Sequence, residues 1–447
     1  MIDLPLKTNL LNQSLTLPNG FVIPNRLAKA ATSETLATYS NNPTEKHIRL
    51  YQRWAASGIG MIITGNIMID RRALGEPGNV VIEDERDFVI LQQWATTVTD
   101  QGSQLWAQLN HPGKQSPKGL NSRNISASAV PFGAEMRSLF ATPDEATHQE
   151  ILEIIQRFGR SALICKKAGF SGVEIHAAHG YLINQFLSPL HNLRNDEWGG
   201  TPEKRRKFLM EVYAEIRKQV GAYFPIAIKL NSADFQKGGF TEEDSLATIK
   251  ALSKAGIDLI EISGGTYESG VAKAPQKAST IAREAFFIDF AEKVRAQVKT
   301  PLMVTGGFRT VAGMNAAQMR IAASARLSTI RAATAPDPIA TMNIRQSILT
   351  TRVHDRVTPP PAIPIPPAGG AIGGVITPLR RRLFLITAYA LVAARDFAGN
   401  ANNGHAIGCV LVDTNSAILG CSLNSVSTNS TYHAETLAVM QYLASNG

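Results

Sequence analysis

Gly172-Val173-Glu174-Ile175-His176-Ala177-Ala178-His179-Gly180-Tyr181-Leu182 leads a short apolar run straight into a cluster of chemistry-bearing side chains. A run of that composition reads as a strand covered on both faces, the hallmark of a parallel sheet. Two histidines three residues apart, just past the strand end, can converge on one small group. Tyr181 is near enough in sequence to share their pocket. Imidazole N–H groups suit a developing oxyanion, and a phenol can deliver a proton. The competing use, a zinc pair, needs a third ligand that the sequence does not announce.

The same grammar recurs on either side. Candidate strands fall at Leu27–Thr32, Gly60–Gly65, Gln104–Gln108, Gly172–His176, Pro225–Lys229, Leu259–Ser263 and Leu302–Thr305. A small hairpin over residues 16–23, turning at Asn19-Gly20, precedes them. Amphipathic stretches such as His148–Ala168, Pro202–Val220 and Glu242–Ala255 lie between the strands. Seven strand–helix units in roughly 300 residues predict an α/β fold, a (β/α)₈ TIM barrel, ahead of an open doubly wound sheet. Polar residues gather at the C-terminal ends of the strands: Ser33, Asn66, Gln108, His176, Lys229 and Gly306. A barrel of this kind places its chemistry there.

From Ala168 to Pro189 the chain resembles the signature of the Old Yellow Enzyme family, the NADH:flavin oxidoreductases. The resemblance continues through Arg194, Asp196-Glu197-Trp198-Gly199-Gly200 and Glu203-Lys204-Arg205-Arg206. It implies an FMN-carrying ene-reductase that uses NADH or NADPH to reduce the C=C bond of activated alkenes such as enones. His176 and His179 would hold the substrate carbonyl, hydride would come from flavin N5, and Tyr181 would protonate the α-carbon. On the same ground Ala31, Thr32 and Ser33 would flank the isoalloxazine, with Asn66 ending the second strand beside them. Gln108 would pair with the pyrimidine edge, because an amide both donates and accepts. Lys229 stands where an arginine is common near N1–O2, and Gly306-Gly307 resembles the phosphate loop, where backbone N–H groups approach an anion.

The resemblance collapses after Gln318. An eighth strand is expected to be absent or degraded, with residues 325–338 and Arg331 as its remnant. A barrel without it would have two open edges and an incomplete cofactor site.

The remainder reads separately. All 18 lysines lie at or before Lys299, a break that marks a domain boundary or the joining of unrelated reading frames. Residues 358–370 carry six prolines, a polyproline linker. The division predicted is a flavin-binding barrel over 1–317, a divergent segment and linker over 318–379, and a small domain over 380–447. That last part reads helix (Arg382–Phe397), strand (Ala406–Asp413), strand (Ile418–Leu423), helix (from Tyr432). It resembles a truncated cytidine-deaminase-like domain, with His433 as the zinc ligand and Glu435 as the proton shuttle. The P-C-x-x-C that completes such a zinc site is not present by Gly447. Two other functions therefore stand beside the ene-reductase: a catalytically inactive fusion with the barrel as scaffold, or part of a zinc nucleobase or nucleoside deaminase.

Composition narrows the partners. The net charge is +9, but the tightest basic run is Arg380-Arg381-Arg382, without interleaved aromatics, so nucleic acid is not the expected partner. No apolar run is long enough to span a bilayer. Three cysteines without a C-x-x-C pair, and an N-terminus without a secretory pattern, point to the cytoplasm. The expected partners are a small activated alkene and a nicotinamide cofactor; a homo-oligomer is left open.

Overall fold

Eight short strands pair edge to edge in a computed structural model that describes residues 10–269, 285–328, 339–342, 406–412 and 418–425. They are β1 (Leu27–Lys29), β2 (Met61–Met68), β3 (Gln104–Asn110), β4 (Gly172–Ala177), β5 (Ile226–Asn231), β6 (Leu259–Ser263), β7 (Leu302–Val304) and β8 (Ile339–Met342). Every neighbouring pair is parallel, and β1 bonds both β2 and β8, so the sheet closes on itself. This closure corrects the expectation of an absent or degraded eighth strand. β8 pairs Met303 with Ile339 and Ala340 with Leu27. It begins just beyond the remnant anticipated at 325–338, and helix covers the first part of that stretch.

Among the described residues a long helix follows each of the first seven strands: α1 (Glu45–Ala55), α2 (Phe88–Thr99), α3 (His148–Lys167), α4 (Pro202–Val220), α5 (Glu242–Ala255), α6 (Ile288–Arg295) and α7 (Val311–Ser328), with a further short helix over Leu182–Leu187 ahead of α4. Their starts are written in the sequence. Thr147 with Glu150, and Thr241 with Asp244, form reciprocal capping boxes that satisfy N–H groups at the first turns of α3 and α5. Pro202 opens α4 where its missing N–H costs nothing.

Strand alternation divides the interior into two environments. Val173, Ile175, Ile226, Ile228, Leu230, Ile260 and Ile262 point outward into the core shared with the helices. Ala28, Met61, Ile63, Trp106, Ala227, Leu259 and Met303 point inward and form a separate apolar cluster. Leu15, Leu17 and Ile23 of the N-terminal hairpin belong to that inner cluster. The hairpin pairs Leu15 with Ile23 and Thr16 with Val22, and turns through Gly20 at φ +86°. It therefore plugs the N-terminal end of the barrel and leaves chemistry to the other end.

Two compact units divide the chain at Arg356/Val357. In the second, an antiparallel hairpin joins Ala406–Val412 to Ile418–Ser425 and carries Cys409 and Cys421. A hairpin of this kind occurs in many folds, so it carries no deaminase assignment. The flanking helices expected there, together with His433 and Glu435, lie outside the described residues. Among the described residues no helix is long and apolar enough to cross a membrane.

Candidate active site

His176 is the inward-facing residue nearest the end of β4, and the chain must turn back at once to bring His179 and Tyr181 over the same opening. A left-handed kink does this: His179 has φ +60° and Gly180 φ +81°. A non-glycine residue accepts that conformation only when its surroundings hold it. Here the His179 N–H donates to Asn231 Oδ1 at 3.1 Å and the Gly180 N–H to Asn184 Oδ1 at 2.7 Å. The ring of His176 then meets the rings of His179 and Tyr181 edge-on, with centroids 5.1 and 4.7 Å apart. The three predicted catalytic side chains form one cluster.

Their protonation follows from burial. His176 is held well below its ordinary pKa by burial, by His179 and by Lys229. His179 is held down to about 3 by burial and by Lys229. Both imidazoles are therefore neutral at physiological pH. The Ala178 N–H donates to His176 Nδ1 at 3.3 Å, which fixes the tautomer and leaves Nε2–H as a donor. His179 Nε2 bonds Ser263 Oγ at 2.7 Å. Burial, with help from Tyr267 and Glu76, pushes the Tyr181 phenol well above its ordinary range. Asn66 Nδ2 donates to Tyr181 Oη at 3.3 Å and its own Oδ1 accepts from Asn110, so Asn66 takes no proton from the phenol.

The residues expected at a cofactor are distributed around the same end of the barrel. Ser33 donates to Glu76 Oε1, and Asn66 reaches Ser33 Oγ at 3.5 Å. Ala31 packs on the inner apolar cluster. None of the half-buried backbone N–H groups of Ala31, Thr32 and Ser33 donates to a protein acceptor among the described residues. Gln108 and Lys229 are buried, and both engage Glu174: Gln108 Nε2 donates to Glu174 Oε2 at 2.7 Å, and Lys229 Nζ lies 3.7 Å from the same oxygen. Gly306 and Gly307 end β7 with φ +99° and +79°. At φ +79° Gly307 holds a conformation that strains any residue with a side chain, and a Cβ there would lie 2.7 Å from the Phe286 ring. Consecutive left-handed residues of this kind turn their N–H groups towards a common point.

Four groups were not singled out from the sequence. Glu174 and Glu261 face into the barrel below the histidines, both fully buried. Tyr267, half-exposed, places its hydroxyl 3.4 Å from that of Tyr181. Its neighbour Glu268 is pinned by Lys114 Nζ at 3.3 Å and by the Gly133 N–H at 2.9 Å. A signal for the two acids was available: each is flanked by β-branched apolar residues inside a strand read as buried on both faces.

Comparison with known proteins places this architecture. A family model described as NADH:flavin oxidoreductase / NADH oxidase matches residues 13–330. The chain is 38% identical over 327 residues to an NADH-dependent flavin oxidoreductase of Neonectria sp. (strain DH2), covering 67% of this chain and 42% of that protein. It is 37% identical over 333 residues to one from Talaromyces variabilis, covering 69% of this chain and 80% of that protein. A solved 2-naphthoyl-CoA reductase complex superposes with a TM-score of 0.64 at 26% identity, over 74% of this chain and 50% of that one. The chain thus spans less than half the length of the first of these relatives.

Proposed function

The chain belongs to the NADH:flavin oxidoreductase / NADH oxidase family, and on that premise we propose that it is an FMN-dependent NAD(P)H oxidoreductase reducing the C=C bond of activated alkenes, enones above all. The observation that carries the reading is a neutral histidine pair packed against a protonated, buried phenol at the open end of the barrel.

The residues present fit the cofactor. Unclaimed N–H groups at Ala31–Ser33 suit the edge of a heteroaromatic ring. The glycine pair Gly306-Gly307 suits a phosphate, and Lys229 keeps a cation at the barrel axis. When bound, FMN supplies the hydride chemistry that couples NADH or NADPH to the alkene. Everything else falls to the side chains. His176, through Nε2–H, and His179 orient the substrate carbonyl and stabilise the negative charge that develops on its oxygen. Tyr181 holds the proton destined for the α-carbon, and Asn66, donating to the phenol oxygen, aims it. A neutral acid is the right donor here, because the α-carbon of the developing enolate takes its proton from a group that still holds one at neutral pH.

The test separates the two half-reactions. Purified protein should be yellow, bleach anaerobically with NADH or NADPH, and recolour with cyclohexenone. Tyr181→Phe should keep bleaching at near its original rate and recolour about 10²–10⁴-fold more slowly, the range for loss of a positioned general acid. Equal loss of both steps would remove Tyr181 from this role. A protein that retains no added FMN would overturn the reading altogether.

A further inference from the structure

Beneath the histidines lies a charged layer that the proposed chemistry does not use. Glu174 on β4, Lys229 on β5 and Glu261 on β6 all point into the barrel, each almost completely inaccessible. Lys229 Nζ stands 3.2 Å from Glu261 Oε1 and 3.7 Å from Glu174 Oε2. Gln108 on β3 donates to Glu174 Oε2. The register partner of Glu261 on β7 is Met303, which contributes no charge. His176 and His179, the remaining titratable groups nearby, are neutral. Two carboxyls therefore face one ammonium in a dry interior.

We propose that Glu261 and Glu174 hold one proton between them, carried by Glu261, and that the pair is the positioning clamp for Lys229 under the active site. Three observations lead there. Two full carboxylates would leave an uncompensated negative charge in the barrel, which a protein interior does not tolerate. Among the described residues Glu174 Oε1 and both oxygens of Glu261 have no hydrogen-bond partner, although they are completely buried. Both carboxyls flank the same ammonium, at 3.7 and 3.2 Å from Lys229 Nζ, so a proton on Glu261 shared with Glu174 would satisfy two of these orphaned atoms at once. The donors decide which partner carries the proton. Glu174 already accepts from Gln108 and faces the ammonium, whereas Glu261 has Lys229 alone. Burial and the adjacent Glu174 hold the Glu261 carboxyl well above the usual range, in agreement with that assignment. Lys229 is held above its ordinary range, because the acidic pair beside it opposes the effect of burial.

The arrangement gives a neutral cluster with a fixed positive end at the barrel axis. That Lys229 faces a flavin rests on the reading above; the shared proton does not. Infrared difference spectra of the chain without added flavin test the proton directly. At pH 7 the wild-type protein should show a carboxylic-acid C=O band that disappears in Glu261→Gln. It should disappear in Glu174→Gln too, because a lone acid beside Lys229 ionises. A wild-type spectrum identical to that of Glu261→Gln, or a band that survives in either variant, would overturn the proposal. Flavin-loaded protein tests the clamp. Both single Gln variants keep a neutral cluster and should leave the flavin midpoint potential in place, whereas Lys229→Met should lower it. If the band behaves as stated and the potential ignores Lys229, the flavin placement fails and the proton pair stands.

Discussion

The two halves of the barrel interior are built from the same strands and differ by a step of two residues. Trp106, Ala227 and Leu259 fill the lower half, in an apolar cluster sealed by the N-terminal hairpin. Two positions further along β3, β5 and β6 stand Gln108, Lys229 and Glu261. Since a strand repeats every two residues, both sets face the axis. The lower half stabilises by excluded water and close packing; the upper half is dry as well, yet filled with charges and amides. The contrast shows where this fold concentrates function. The upper layer is tolerable only because its charges compensate one another, and that requirement fixes Lys229 in place more firmly than packing alone would.

Acid should act first and most strongly on the C-terminal end of the barrel, where the upper half opens. His111 and His191 are pushed down to about 4, chiefly by burial, His179 to about 3, and His176 well below its ordinary value. Unfolded histidine protonates near 6.5, so below that pH the unfolded chain binds protons that the folded one refuses. Stability is therefore intact above pH 6.5 and lost as the pH falls towards 4. From pH 6.5 to 5 the loss is up to about 2 kcal/mol for each of the four. Denaturant melts at stepped pH would measure it, and His176→Asn should flatten the slope by one proton. A pH-independent midpoint across that window would contradict the burial of these rings.

Two substitutions then compare the halves directly. Trp106→Ala should cost about 3–5 kcal/mol by opening a cavity against Gly172, over which the indole packs. Lys229→Met should cost a similar amount, about 3–5 kcal/mol, by leaving a buried negative charge without its partner. The two are told apart by pH. The Trp106→Ala deficit should be constant between pH 5 and 8, whereas the Lys229→Met deficit should shrink as the pH falls and the remaining carboxylate protonates. Parallel pH profiles for the two variants would mean that the upper layer is held by packing as well.

Much of this contrast was legible in the chain, and the residues show why. Leu259–Ser263 and the helices Pro202–Val220 and Glu242–Ala255 were placed to the residue, because apolar alternation and a threonine or proline at the start leave few choices. The His176/His179/Tyr181 cluster could be read because its spacing is local. The eighth strand could not. Ile339–Met342 is four residues long, and what makes it a strand is pairing with β7 and β1, partners 36 and 313 residues away by register. The first strand ends three residues short of its apolar run, since Ala30–Thr32 leaves the ladder to present backbone at the mouth. Glu174 and Glu261 were missed for a related reason: an acid in an apolar run is visible, but its contact across the barrel is a tertiary fact.

The smallest expected effect sharpens the boundary between the upper half and solvent. Tyr267→Phe removes a long contact, 3.4 Å, between a half-exposed hydroxyl and the buried Tyr181. At neutral pH the stability change should stay within about 1 kcal/mol, the net worth of one ordinary hydrogen bond. At alkaline pH the difference should show. Tyr181 is raised above its ordinary value of 10, first by burial and then by Tyr267, so the folded chain keeps its phenolic proton where the unfolded chain has lost it. That contribution is present below pH 10 and falls away as the pH rises past it. Without Tyr267 the Tyr181 phenol should ionise at lower pH, though still above 10, because burial remains. Tyrosinate absorbance during an alkaline titration follows this step. If Tyr267→Phe leaves the last phenol to ionise where it was, Tyr267 is a rim residue with no electrical connection to the site, and the polar layer ends at Tyr181.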